Sequence, residues 1–164
     1  MLLFTLTSAA FFAAAPVAQV VTPTSAPVAI ERSVQAAANP HLENARSAME
    51  KGDLSLARRE YQFAQIVDRD AGRIPVDASK GLAALLFAQS QPRAAAEIMQ
   101  QVADEAARAG QIDVEASALV SATLLRLECG DRVAVKEGVR RLHQISRDRS
   151  ISSETRAMLK KQLG

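Results

Sequence analysis

Few residues in this chain could do covalent or metal chemistry, and their spacing does not make them converge. His41 and His143 are its only histidines, and Cys129 is its only cysteine. A lone thiol forms neither an internal disulfide nor a multi-cysteine zinc site, and neither histidine stands at ligand spacing from a second donor. Cys129 ends an apolar run just before Gly130 and reads as a small buried hydrophobe. His143, in the last turn of its helix, can face the negative helix end when protonated.

The acidic groupings fare no better. Asp68-Arg69-Asp70-Ala71-Gly72 opens like a calcium loop, but the glycine comes one residue early and Ser79 stands where a bidentate glutamate belongs. The segment reads as a solvated loop with a turn glycine. Asp104-Glu105 and the pair Asp113 and Glu115 point in different directions on a helix, whereas acid–base work needs convergent groups in a pocket. They read as exposed helix faces. There is no Gly-rich phosphate loop and no Gly-x-Ser-x-Gly nucleophile turn. The expectation is a protein without catalytic residues, bound metal or cofactor.

The elements that carry these residues follow from charge and proline placement. No Asp, Glu, Lys, Arg or His precedes Glu31. Leu2 to Ala15 is an apolar run stopped by Pro16, which reads as the core of a signal peptide or N-terminal anchor over residues 1–21. Ala13-Ala14-Ala15, Ala18 and Ala26 are alternative cleavage positions. Residues 22–38 read as a flexible linker and residues 39–164 as one helical domain. That domain is rich in Ala and Leu, has no Trp, and has Tyr61, Phe63 and Phe87 as its only aromatics.

Pro40, Pro75 and Pro92 each fall where a helix can begin, and Asn39 is a natural cap. Seven helices are predicted, at about 40–51, 54–67, 76–88, 92–109, 112–128, 132–146 and 153–163, with Asp53 and Asp131 as caps and Gly110 and Gly130 as stops. Leu54, Ala57, Tyr61 and Ala64 form an apolar stripe of helical period. So do Ala95, Ile98, Met99 and Val102, and Val135, Val139 and Leu142.

At Gly52-Asp53-x-x-x-Ala57-x-x-x-Tyr61-x-x-Ala64 the chain resembles a tetratricopeptide repeat. Ala45 and Ala48 take the packing positions of the first helix. His41 replaces an aromatic near the repeat start, and Arg69 replaces the closing proline. A second unit aligns Ala83, Ala95 and Met99, with Ser90-Gln91 in place of the Gly-Asp turn. A third restores Gly130-Asp131 but carries Val135 and Val139 where Ala and an aromatic are expected. Ala57, Ala95 and Val135 recur at a spacing slightly longer than that family's repeat. The resemblance implies an all-α superhelix of about three hairpins, closed by a C-terminal capping helix with Arg156, Lys160 and Lys161 on its polar face.

It also implies a concave groove lined by the first helix of each hairpin, which binds a protein or peptide. Arg46 and Glu50, with Leu42 and Met49, would come from the first unit. The second would supply Asp77, Lys80, Ala84 and Phe87, and the third Val120, Leu124 and Leu127. The Lys and Asn clamp that chaperone-binding members use for a terminal carboxylate is not reproduced.

The last third of the chain is basic and offers a patch for an acidic partner or an anionic surface. Nucleic acid is disfavoured, since no aromatic follows Phe87 to stack on bases. The sequence therefore points to an exported, periplasmic, non-enzymatic scaffold or adaptor that holds another envelope protein in its groove. The alternative is a membrane-anchored structural subunit of an envelope complex.

Overall fold

The computed structural model describes residues 39–163; the expected leader (1–21) and the expected linker (22–38) lie outside the described residues. Among the described residues the protein is all-helical: α1 (Pro40–Glu50), α2 (Leu54–Asp70), α3 (Val76–Ala88), α4 (Pro92–Arg108), α5 (Ile112–Glu128), α6 (Arg132–Ser146) and α7 (Ser153–Leu163). None of these helices is long and apolar enough to cross a membrane.

Each start has a local cause. The Asn39 side chain accepts from the His41 amide, Asp53 from Leu56 and Asp131 from Ala134, so each cap satisfies a free N–H of the first turn. Ser152 does the same for α7 through the Thr155 amide. Pro40 and Pro92 occupy first helical positions, while Pro75 stands one residue earlier, as the cap itself.

Four of the connections share one device. Helices α1, α3, α4 and α5 each end in a three-residue link whose middle residue has positive φ: Gly52, Ser90, Gly110 and Gly130. The amide of the next residue then bonds back to a carbonyl of the last turn, as in Asp53 to Ala48, Gln91 to Leu86, Gln111 to Ala106 and Asp131 to Arg126. That same residue takes the N-cap position of the following helix, where Asp53 and Asp131 add a side-chain bond and Gln91 and Gln111 do not. Chain reversal therefore takes three residues, and consecutive helices run antiparallel.

The acidic segment at 68–72 is solvent-exposed from Arg69 and turns at Gly72 as expected, but its first residues depart from the loop reading. Helix α2 runs three residues past Val67, and Asp68 is buried in its last turn. Asn39 Nδ2 donates to Asp68 Oδ1 at 3.3 Å, and Arg73 donates to the same oxygen at 2.6 Å. A carboxylate with two such donors is retained inside rather than joining the solvated loop.

Every helix packs on its neighbours in sequence, and α7 also touches α5. The tightest pairing is α4 with α5. Among the described residues, thirteen of the 25 core side chains are alanine, which lets helix axes approach closely; Leu85, Met99, Leu119 and Val102 supply the volume between them. Two glycines mark the closest approaches. The Tyr61 ring covers Gly81 of α3, and Thr123 covers Gly138 of α6.

Candidate functional site

Alternate helices leave two apolar clefts, one on each flank of α5. The first lies between α3 and α5. Lys80, Ala83, Ala84 and Phe87 form one wall, Ser121 and Leu125 the other, and Met99 of α4 the floor; its volume is about 230 Å³. The second lies between α5 and α7, with a volume of about 160 Å³. Val120, Thr123, Leu124 and Leu127 line it from α5, Val135, Val139 and Leu142 from α6, and Gln162 and Leu163 from α7.

The apolar groups at these clefts are open to solvent. Phe87 and Leu124 are each 48 % exposed and Leu127 is 58 % exposed. Scattered exposed leucines are ordinary, but three large apolar side chains on cleft walls of adjoining helices form a surface with binding potential.

The residue types of the floors explain why the clefts exist. Tyr61, Met99 and Val139 each lie one helical turn beyond Ala57, Ala95 and Val135, so they hold equivalent places in the second helices of three hairpins. In the first hairpin the tyrosine ring fills the space up to Gly81. In the second a methionine faces Ser121, which stands as far before Gly130 as Gly81 stands before Ser90. In the third the residue is a valine, and the cleft there is the smaller of the two because Gln162 and Leu163 of α7 also line it. Loss of aromatic bulk along the array opens the surface that the first hairpin keeps closed.

The structure brings Lys80, Ala84 and Phe87 together on one cleft and Val120, Leu124 and Leu127 on the other. It brings neither Arg46 nor Glu50 to them. Arg46 is exposed and paired with Glu43 on its own helix at 2.6 Å, and Glu50 is exposed at the end of α1. Asp77 is exposed in the first turn of α3, outside both linings. Leu42 and Met49 are partly buried against the core. The sequence-predicted groove positions omit the floor residues Met99, Val135 and Val139 and the α7 residue Leu163. Their signal is the departure of the second and third units from the small-then-aromatic pattern.

Of the acidic pairs, Asp104 is exposed as expected, whereas Glu105, Asp113 and Glu115 are partly buried, and all four tie helices together. Arg141 of α6 reaches Asp104 of α4 at 2.9 Å and Glu115 of α5 at 2.8 Å. Burial disfavours the Arg141 charge, but these two carboxylates more than offset it and hold its pKa above the ordinary arginine value. Arg69 of α2 binds Glu105 of α4 at 2.9 Å. Asp113 of α5 accepts from the Ser152 amide at 3.0 Å and its hydroxyl at 3.1 Å. The hydroxyl of Thr155, then the amide and hydroxyl of Ser152, hold the Asp113 carboxyl below its usual range. These ties set the spacing of α5, α6 and α7 around the second cleft.

Cys129 is partly exposed rather than core, with its thiol donating to the Leu125 carbonyl at 3.1 Å. It lines a polar cleft with Arg93, Glu97, Arg126 and Asp131, where opposite charges balance. Among the described residues no three His, Cys, Asp or Glu side chains are grouped to hold a metal. The chain matches no protein-family model, no curated protein and no solved structure.

Proposed function

We propose that this chain is a non-enzymatic scaffold or adaptor that holds a polypeptide segment of another protein against the clefts flanking α5. The observation that carries this reading is the half-exposed trio Phe87, Leu124 and Leu127 on cleft walls whose floors, Met99 and Val139, are apolar. Apolar walls with a few polar groups at the rim, such as Lys80 and Ser121, suit side chains of a peptide. The likeness of the Gly52-to-Ala64 unit to a tetratricopeptide repeat supports the same reading, since in that family the first helices line a binding groove. The apolar N-terminal run supports export to the periplasm, with retention as an anchor the competing outcome.

A photo-crosslinking residue placed at Leu124 in living cells tests the groove, with Arg58 on the exposed face of α2 as control. A discrete protein adduct at Leu124 that is absent at Arg58 supports the proposal, and its absence at Leu124 overturns it. Intact mass of the mature protein tests export: cleavage removes ~1.5–3 kDa, whereas a retained anchor leaves the full mass.

A further inference from the structure

We infer that the cleft between α5 and α7 takes an acidic amphipathic helix, with an aliphatic side chain in the cleft and carboxylates toward α6 and α7. This rests on the groove reading above and names the chemistry of its occupant. Positions three, four and seven apart share a helix face. Val139 lines the cleft, so Arg132 and Lys136 lie on the same stripe of α6. Leu163 lines it from α7, so Arg156 and Lys160 lie on the matching stripe there. All four cations are exposed. Among the described residues Arg132, Lys136 and Lys160 have no ion-pair partner, and Arg156 donates only to the Asp148 carbonyl.

The opposing charge is slight. Glu128 shares a stripe with Leu124 on α5, and Gln162 is neutral. The first cleft lacks this concentration of charge, because Lys80 is the one charged residue in its lining. An apolar slot edged by unpaired cations on two helices complements a ligand that is apolar on one stripe and acidic beside it. A planar anionic bilayer fits less well. A bilayer surface would reach the outward-facing Leu124 and Leu127, whereas a helix side chain would also fill the recessed floor of Val135 and Val139.

Each exposed ion pair is worth only a few-fold in affinity, and four together are expected to give about tenfold or more at low salt. The test uses the full chain and three synthetic helical peptides sharing one leucine stripe, with polar faces of Glu, Gln or Lys. Binding is read by fluorescence anisotropy, with vesicles of phosphatidylglycerol as a separate arm. The expected order is Glu tightest, then Gln about tenfold weaker, then Lys. Lys136→Glu with Lys160→Glu leaves two cations facing two carboxylates and should abolish the preference for the Glu peptide, and Leu127→Asp should abolish binding of all three. Circular dichroism of each variant confirms that the helices persist.

Equal binding of the Glu and Gln peptides, still lost in Leu127→Asp, overturns the acidic occupant and leaves the groove reading intact. Peptide binding that survives Leu127→Asp, or no binding of any peptide, overturns both. Vesicle binding that depends on Lys136 and Lys160, without Glu-peptide binding, overturns the inference in favour of a membrane surface.

Discussion

The Tyr61 ring occupies the space that a side chain on Gly81 would need, so α2 and α3 meet through an aromatic laid on bare backbone. This contact joins the first hairpin to the second and keeps their junction closed. Gly81→Ala should therefore destabilise the protein despite alanine's better helix propensity. Overpacking costs about 1–3 kcal/mol, against a propensity gain of about 1 kcal/mol. Tyr61→Leu in the Gly81→Ala background should recover part of the loss. Urea denaturation of the two single variants and the double variant reads the coupling directly.

Ser90 holds the positive φ of 59° that Gly52, Gly110 and Gly130 hold in the matching links. A side chain in that region costs about 1–2 kcal/mol, partly offset by the greater unfolded-state freedom of glycine. Ser90→Gly should raise stability by about 0.5–1 kcal/mol, and Gly130→Ala should lower it by a similar amount. Both are checked by the shift in denaturation midpoint. An unchanged midpoint in both would mean that the links do not set the energy of chain reversal.

These links also mark what is legible in the sequence. A positive-φ glycine or serine, followed at two of the links by a capping Asp, is local chemistry, so helix number, order and most ends can be read from residues alone. The burial of Asp68 at the end of α2 cannot, because one of its two donors, Asn39, lies 29 residues away. The groove is half legible. Lys80, Phe87 and Leu124 follow from their places on first helices, while Met99 and Val139 read only as imperfect repeat positions. Their significance is a missing volume, which becomes visible only when Ser121 or Leu163 is placed opposite. The clips made by Asp104 and Glu115 escape the sequence for a related reason, since their shared partner Arg141 lies on another helix.

Refilling the floors should close the clefts. Val139→Phe restores aromatic bulk at the place Tyr61 holds in the first hairpin and should block crosslinking from Leu124. A filled cleft also removes apolar surface from water, so stability should hold or rise by up to about 1 kcal/mol. Crosslinking that persists at wild-type level in a stable Val139→Phe protein would place the partner elsewhere.

Docking of α7 should weaken in acid. Asp113 has its folded pKa lowered by the Thr155 and Ser152 donors, below the ordinary aspartate value of 3.8. Its contribution is complete above that ordinary value and is lost as pH falls through the lower folded value. Amide exchange of α7, followed from pH 6 downward, should accelerate in that window relative to α4. Asp113→Asn should speed α7 exchange already at pH 6 and flatten the acid dependence.

Arg141 holds two carboxylates on two helices, a task suited to the fixed fork of a guanidinium. Arg141→Lys should cost about 1–2 kcal/mol, because a single ammonium cannot keep both bonds in place, and Arg141→Met should cost about as much or more. A double-mutant cycle with Glu115→Gln measures the share carried by the less exposed arm. Zero coupling would reduce the clip to surface decoration.

The matching links at Ser90, Gly110 and Gly130 are evenly spaced along the chain, so α4 and α5 are steps of equal length, each one helix and one reversal. Such a chain obeys parity. Removing one step would send everything after it in the opposite direction and exchange groove side for outer side. Removing two restores direction and shortens the array by one cleft. Length variation that preserves the binding surface must therefore come in pairs of steps, so a change in cleft number moves in whole hairpins.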